Sequence, residues 1–218
     1  MAASLCCPLP AVDRHDCVYT ACYCEENVYC LLKDQPQGKG HWRWFAVFVS
    51  NPEQAVVVHH QRPGAGTDNS VVWDYHVMAV ALPRSPTAHS CSSSSLCGSS
   101  PSLHAYVYDF DSTLPFPCAL DDYVAQALAP RATGLQLSPP QLKWIPARAY
   151  LASFSSDRAH MRSPQGGWLS PPPSYKPIVQ GACIVVSTSQ SITHDHDKAL
   201  WSLTSGAVAR AKQFGAVH

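Results

Sequence analysis

Three residues that lie far apart in the sequence carry the side chains that nucleophilic catalysis requires. Cys24 opens the segment CEENVYCLLKD, where two acidic residues precede apolar residues at helical spacing, so a helix is predicted to begin near Cys24. A helix N-terminus carries partial positive charge, which is expected to lower the pKa of a thiol placed there. His76 can then accept the thiol proton, and Asp109 can orient the imidazole.

The strands that would position these side chains are predicted from aromatic and β-branched residues at 41–51, 55–61, 71–82 and 104–110. Alternation along the third of these strands places Asp74 and His76 on one face, and alternation along the fourth places Val107 and Asp109 together. If the two strands pair antiparallel, His76 and Asp109 become cross-strand neighbours. Spacing alone is weak evidence, because ten cysteines and eleven histidines permit many other triads.

The remaining elements indicate an α+β fold with a mainly antiparallel sheet. A second helix is predicted at 118–129, a strand at 142–151 that Pro146 confines to an edge or a bulge, and a short amphipathic helix at 199–214. The length of 218 residues suits one domain. We expect a flexible leader at 1–16, a catalytic domain at 17–178 with a Ser-rich loop insert at about 84–102, and a divergent tail at 179–218.

Composition excludes several classes of partner and indicates a cellular location. Lys+Arg and Asp+Glu both number 15, so the formal net charge is zero and no basic field attracts nucleic acid or an anionic membrane. The sequence contains no secretory signal pattern and no apolar run of the roughly 18 residues that would span a bilayer. We therefore expect a monomer with reduced thiols in the cytoplasm, with the nucleus as a second location.

Five blocks of the sequence together resemble one enzyme family. They are CVYTACYCEENVY (17–29), WDYHV (73–77), YDFDSTLPFPC (108–118), FSSDRAHM (154–161) and GGWLSPPPSY (166–175). In this order they are similar to the protein N-terminal glutamine amidohydrolases, over roughly residues 13–178. The resemblance implies a papain/transglutaminase-like cysteine hydrolase fold with the nucleophile on a helix. It also implies conversion of N-terminal Gln to Glu with release of ammonia, within the pathway that generates N-terminal degradation signals.

Matched position by position, the family's nucleophile falls on Cys24, its histidine on His76 and its aspartate on Asp109. The resemblance implies no metal or organic cofactor, and substrates that are proteins or peptides with an N-terminal Gln. Selecting a free N-terminus requires a contact to the protonated α-amino group. Three carboxylates are unranked candidates for that contact: Glu25, Glu26 and Asp74.

Plainer interpretations stand beside these assignments. A cysteine is more often a small buried apolar residue than a nucleophile, and Cys22 is interpreted as structural. Cys17, Cys22, Cys24 and Cys30 could suggest zinc, but they lack the paired CxxC spacing of convincing zinc sites. HDHD (194–197) is interpreted as a polar loop, and the aromatics Trp42, Trp44, Trp73 and Tyr75 as core, with Trp73 a candidate wall of the site. Asp157, Arg158 and His160 either shape the pocket or brace a loop.

Two other functions stay open at this point. The segment after about residue 177 lacks a recognisable family block, which suggests a catalytically impaired isoform or a non-catalytic binding module. A Cys–His–Asp site would also serve a peptidase or an acyltransferase.

Overall fold

A computed structural model describes residues 9–10, 12–37, 40–84, 105–129 and 137–179. Most of the predicted leader, the Ser-rich insert after Arg84, the tail after Val179 and the helix expected at 199–214 lie outside these residues. Among the described residues, no helix is long and apolar enough to cross a membrane.

The architecture is α+β, and its main sheet has five antiparallel strands. In chain order the strands are β1 (Trp42–Ser50), β2 (Val56–Val58), β3 (Val71–Trp73), β4 (His76–Pro83), β5 (Tyr106–Tyr108), β6 (Cys118–Ala119) and β7 (Gln141–Pro146). The main sheet has the order β6-β5-β4-β1-β7, and β2 and β3 form a separate antiparallel pair. The predicted α+β class with a mainly antiparallel sheet is therefore confirmed.

Within the described part of the chain, three α-helices cover the sheet: α1 (Cys24–Lys33), α2 (Leu120–Tyr123) and α3 (Ala147–Ser153). A π-helical turn, Val124–Leu128, continues α2, and 3₁₀ turns occupy Arg14–Asp16 and Ala159–Met161. The helix predicted to begin near Cys24 is confirmed: two acidic residues lie in its first turn and Lys33 in its last, as the helix dipole favours. Its apolar stripe, which includes Val28, Leu31 and Leu32, is buried.

The main sheet is covered on both faces, so its central strands are apolar on both sides. Along β4, Val77, Ala79 and Ala81 belong to one buried cluster together with α1 and α3 residues. Met78 and Val80 belong to the other cluster, which includes β2 and the π-helical turn. Because β4 lies at the centre of the sheet, packing on both faces fixes the strand that begins with His76.

The single strand expected at 71–82 is two strands in the structure, so that prediction was wrong. The break falls at Asp74: its Oδ1 accepts a hydrogen bond from the backbone N–H of Tyr75 at 2.9 Å, and its carbonyl accepts one from Ser50 Oγ at 2.7 Å. A side chain that bonds its own backbone competes with ladder pairing. As a result β3 pairs with β2, whereas β4 pairs with β1 and β5. The predicted shared strand face of Asp74 and His76 does not exist.

Two other elements change type within a predicted segment. The helix expected at 118–129 begins as the short strand β6, which pairs with β5, and becomes helical at Leu120. The strand expected at 142–151 ends at Pro146, and α3 begins at the next residue. Proline lacks an N–H, and the following ARAYLAS segment consists largely of good helix formers. The edge position predicted for the Pro146 strand is confirmed, because β7 is the last strand of the sheet.

Candidate active site

The structure brings His76 and Asp109 together at the ends of two paired strands. His76 is the first residue of β4, and Asp109 follows the last residue of β5. His76 Nε2 lies 2.8 Å from Asp109 Oδ1, and both side chains are only 1% exposed. Water is thus excluded from this pair, which strengthens the interaction between the two groups.

Asp109 is held by more than the histidine. Its Oδ2 accepts hydrogen bonds from Gln61 Nε2 at 3.0 Å and from the Tyr123 hydroxyl at 2.7 Å, and its Oδ1 accepts one from the backbone N–H of Asp111 at 3.0 Å. Burial alone would raise the pKa of Asp109, but His76 and these donors together lower it to about 2. The carboxylate is therefore ionised at neutral pH, and Nε2 of His76 must carry the proton between them.

His76 consequently has one ring nitrogen available for chemistry. Burial lowers the pKa of His76, but the negative charges of Asp109, Asp111 and Glu25 outweigh it and raise the pKa above its ordinary value. Nδ1 is buried and has no hydrogen-bond partner. The indole of Trp73 stacks on the imidazole, with centroids 5.4 Å apart and planes 18° from parallel. The ring is thus fixed by Asp109 and Trp73, with Nδ1 free to accept or donate a proton.

Cys24 is the first residue of α1, and its thiol is adjacent to the beginning of β4. The backbone N–H of Val77, the residue after His76, interacts with the Cys24 sulfur. The thiol donates to Glu25 Oε2, with Sγ 3.4 Å from the oxygen, and it makes no hydrogen bond to His76. Cys24 and His76, the predicted nucleophile and base, therefore lie on adjoining elements, with the thiol proton directed to Glu25.

The sequence predicted a lowered pKa for the Cys24 thiol, and that prediction was wrong. Burial and the negative charges of Glu25 and Asp111 raise the pKa of Cys24 well above its ordinary value, and the Val77 N–H opposes them only in part. Position at a helix N-terminus does not by itself decide the protonation state, because two carboxylates lie close to the sulfur. A nucleophilic role for Cys24 would accordingly require a base that removes the thiol proton.

The loop before Cys24 is held in place by a side chain of the helix that follows it. Asn27 is fully buried, and its side-chain amide donates to the Thr20 carbonyl at 2.9 Å and accepts from the Thr20 N–H at 2.8 Å. Between them, Cys22 adopts a positive φ of 67°. Ser170 Oγ also donates to the Ala21 carbonyl at 3.2 Å. These contacts hold the loop so that α1 begins at Cys24.

The three predicted substrate-binding carboxylates have different surroundings. Glu25 accepts hydrogen bonds from Cys24 and from the Tyr75 hydroxyl. Burial, with a further contribution from Glu25, raises the pKa of Asp74, whose Oδ1 is already bonded to a backbone N–H. Glu26 forms a bidentate salt bridge with Arg158, both N–O distances being 2.7 Å. The Glu26 carboxylate is thus engaged by a protein cation, whereas Glu25 lies beside the nucleophile.

Arg158 braces the fold around α1. Besides Glu26, its guanidinium donates to the Tyr175 carbonyl at 3.1 Å and lies 5.3 Å from the centroid of the Tyr175 ring. Its side chain is 9% exposed, and that of Glu26 is 4% exposed. Of the two interpretations left open for the SDRAHM block, these contacts support the bracing role for Arg158.

Sequence reasoning missed the residues that hold Asp109 in place. Gln61 follows a β-branched strand, and Tyr123 occupies an apolar position of a helical pattern, so neither sequence context pointed to a polar role. Asp111, in the loop after β5, is likewise buried and accepts a hydrogen bond from the Tyr19 hydroxyl at 2.5 Å. Such residues can be identified only in the folded structure, where a buried polar side chain is seen to bond to a charged group or to another polar group.

Arg14, within the segment expected to be a leader, contacts the loop that follows Asp109. Its guanidinium donates to the Ser112 carbonyl at 2.8 Å and the Leu114 carbonyl at 3.3 Å, and it lies 4.8 Å from the centroid of the Phe116 ring. Arg14 thereby helps to fix the loop that carries Asp109 and Asp111.

One group in the described part of the chain has ligand atoms spaced closely enough to hold a metal ion. These atoms belong to His76, Asp109 and Asp111, and they lie within 4.8 Å of one another. However, Nε2 and both oxygens of Asp109 already form hydrogen bonds within the protein. A metal ion here would have to displace those bonds, so the arrangement fits a histidine base held by a carboxylate better.

The sequence is similar to that of known proteins. The family model described as N-terminal glutamine amidase matches residues 19–217. The chain belongs to this amidase family. Proteins named Protein N-terminal glutamine amidohydrolase are 40% identical to it over 171 residues in Drosophila grimshawi and 40% identical over 169 residues in Drosophila mojavensis. Each alignment covers 75% of this chain and 73% of the relative.

A third such relative, from Drosophila melanogaster, is 38% identical over 172 residues, which cover 77% of this chain and 74% of the relative. The matched amidase-family range includes Cys24, His76 and Asp109. It also runs through the tail at 179–217, where no family block was recognised from the sequence.

Proposed function

We propose that this protein is a cysteine-dependent hydrolase that converts the N-terminal Gln of proteins and peptides to Glu. The observation that carries the proposal is the buried His76–Asp109 pair, with Nδ1 free, at the start of the strand whose Val77 N–H contacts the Cys24 thiol. Membership of the N-terminal glutamine amidase family and the names of the relatives support the substrate.

The first half of the reaction forms a thioester. His76 Nδ1 accepts the Cys24 thiol proton, and the sulfur attacks the δ-carbonyl carbon of the Gln side chain. Backbone N–H groups at the start of α1, which have no partner within the helix, stabilise the oxyanion. The imidazolium then donates its proton to the departing nitrogen, and ammonia leaves. Asp109 stabilises the imidazolium while that charge exists.

The second half of the reaction regenerates the thiol. Neutral His76 accepts a proton from water at Nδ1, and the resulting hydroxide attacks the thioester carbon. Collapse of this intermediate releases Glu and returns the proton to the Cys24 sulfur. Every step uses the same nitrogen, because Nε2 remains bonded to Asp109 throughout.

Selection of an N-terminal residue requires an anion that pairs with the substrate's α-ammonium group. Glu25, beside the nucleophile, and Asp74, in the turn before His76, are the carboxylates we propose for this contact. Asn is shorter by one methylene, so its amide carbon would not reach Cys24 while its ammonium group stays at the anion. Internal Gln has no ammonium group to offer.

Further parts of the proposal concern fold type and cellular role. The helix that begins at Cys24 and the sheet that carries His76 and Asp109 support a papain/transglutaminase-like arrangement. We infer a role in forming N-terminal degradation signals, as a monomer in the cytoplasm and also the nucleus. The five cysteines in the described residues are free thiols, which supports a reducing location.

The decisive experiment uses three peptides: one that begins with Gln, one that begins with Asn, and one with only internal Gln. Ammonia release and peptide mass are followed for the full chain and for Cys24→Ala. Deamidation of the first peptide alone, lost in Cys24→Ala but retained in Cys22→Ala, supports the proposal. Backbone cleavage would show a peptidase instead, and a folded protein that releases no ammonia would overturn the proposal.

A further inference from the structure

Both oxygens of the Glu25 carboxylate are held beside the nucleophile. Oε2 accepts from the Cys24 thiol, with 3.4 Å between oxygen and sulfur, and Oε1 accepts from the Tyr75 hydroxyl. The Tyr150 hydroxyl donates to the Glu25 carbonyl at 3.1 Å, which fixes the backbone at this residue. Glu25 and not His76 therefore receives the hydrogen bond of the thiol.

His76 is in the opposite situation. Its Nδ1 is buried, in a side chain that is 1% exposed, and it has no hydrogen-bond partner. A buried polar atom without a partner costs free energy, and that cost is removed when a proton donor engages it. The Val77 N–H contact places the sulfur next to the strand that begins with this histidine. The thiol thus has a second acceptor on the adjoining strand once Glu25 releases it.

We propose that Glu25 couples binding of the substrate's α-ammonium group to the activation of Cys24, an inference that rests on the proposed function. An ammonium group that pairs with the Glu25 carboxylate displaces the thiol from Oε2. The S–H bond of Cys24 then breaks, the proton forms a bond with His76 Nδ1, and the electron pair stays on sulfur. That pair forms the bond to the amide carbon while the C=O π bond breaks and its electron pair moves to oxygen, so atoms and charge balance without an oxidant or reductant.

The charges around the sulfur support this coupling. Besides burial, the negative charges of Glu25 and Asp111 raise the pKa of the thiol. Asp74, Tyr75, His76 and Tyr150 are further titratable groups that interact electrostatically with Glu25. A cation bound to Glu25 offsets the nearer of the two negative charges that act on the Cys24 thiol. A peptide whose N-terminus is blocked leaves that charge in place, so discrimination against it appears in kcat as well as in KM.

The first test measures the rate at which iodoacetamide alkylates Cys24 at neutral pH. The Cys24-containing fragment is quantified by mass spectrometry, because the chain has nine other cysteines. The probe is the peptide Ala-Ala-Ala-amide, which supplies an ammonium group but whose first side chain is too short to cover the thiol. N-acetyl-Ala-Ala-Ala-amide is the matched control.

We expect the free-amine peptide to raise the alkylation rate severalfold, up to about tenfold if the thiol pKa falls by one unit, and the acetylated peptide to have no effect. An unchanged or reduced rate with the free-amine peptide would overturn the coupling. This comparison uses the unmodified chain, so it does not depend on the folding of any variant.

The second test uses Glu25→Gln, which keeps the shape of the side chain and removes its charge. Its alkylation rate without peptide is expected to exceed that of the unmodified chain severalfold, with no further increase on adding Ala-Ala-Ala-amide. Glu53→Gln, which alters an exposed glutamate, is the control and should respond to the peptide normally. Circular dichroism checks that both variants are folded. A folded Glu25→Gln protein that still responds to the peptide would contradict the proposal.

Alkylation requires no turnover, so the two proposals can fail separately. If N-terminal Gln peptides are deamidated but the free-amine peptide does not accelerate alkylation, the coupling is wrong and the proposed function stands. If the free-amine peptide accelerates alkylation through Glu25 but no Gln peptide is deamidated, the proposed function is wrong and the amine response of Cys24 stands.

Discussion

Asp109 holds His76 through Nε2 alone, at 2.8 Å and with both side chains almost completely buried. Because the Asp109 carboxylate is ionised, the tautomer of the neutral imidazole is fixed with its proton on Nε2. Nδ1 is left without a partner, and it is the nitrogen that exchanges protons with Cys24 in the proposed mechanism. The orientation of one ring therefore decides which atom that mechanism uses as the base.

Replacing Asp109 with Asn is expected to reduce kcat strongly, by about 10³- to 10⁴-fold, as for other carboxylates that orient a catalytic histidine. An amide can donate to Nε2 and so favours the wrong tautomer. Steady-state ammonia release from a Gln peptide measures the effect. Asp121→Asn, on an exposed position of α2, is the matched control and should retain full activity. Near-normal kcat in Asp109→Asn would refute the role assigned to this carboxylate.

The Tyr123 hydroxyl is expected to stabilise the Asp109 carboxylate by a moderate amount of free energy. Its bond to Oδ2, 2.7 Å long and buried, is charge-assisted, and such bonds contribute about 1.5–3 kcal/mol. Tyr123→Phe should lower the free energy of unfolding by about that amount, measured by urea denaturation, and should also lower kcat. Tyr106→Phe serves as the control, because Tyr106 is the first residue of β5 and Asp109 follows the last. Equal stabilities for the two variants would contradict this assignment.

The pH dependence of kcat/KM is expected to be bell-shaped. His76 must be neutral to accept the thiol proton, and its pKa is raised, so activity should appear only as the pH rises above 6.5. The substrate must keep its α-ammonium group, whose pKa is about 7.7–8.0, so activity should decline above that range.

A variant tests whether His76 is the group that titrates in the acidic limb of this kcat/KM profile. Asp111→Asn removes one of the negative charges that raise the pKa of His76, while its amide oxygen can still accept from Tyr19. The acidic limb of the profile should therefore move to lower pH. An acidic limb that stays in place would show that the group titrating there is not His76.

The Arg158–Glu26 pair is expected to contribute stability. Breaking a buried bidentate pair leaves one charge without a partner, which typically costs about 3–5 kcal/mol. Arg158→Ala should lower the free energy of unfolding by that order in urea denaturation. Arg158→Lys should also lower it, because an ammonium group cannot reproduce the two parallel bonds. Arg148→Lys, at an exposed position of α3, should have little effect. A fully stable Arg158→Ala protein would show that the pair only shapes the pocket.

Local patterns in the sequence determined where several elements begin and which residues could react. The helix at Cys24 could be predicted because its acidic first turn and its apolar spacing lie within ten consecutive residues. The strand at Trp42–Ser50 could be predicted for the same reason, since its aromatic and β-branched residues are contiguous. Family-like blocks such as WDYHV then singled out Cys24, His76 and Asp109 among many cysteines and histidines.

Only the tertiary structure decided how those residues are held and charged. Gln61 lies 48 positions from Asp109, and Arg158 lies 132 positions from Glu26, so no local pattern encodes either bond. The break at Asp74 depends on a hydrogen bond from Ser50, which belongs to a different strand. The raised pKa of Cys24 depends on burial and on Asp111, which the fold brings close. Such properties arise from packing and register between distant segments, whereas sequence patterns report mainly on neighbours along the chain.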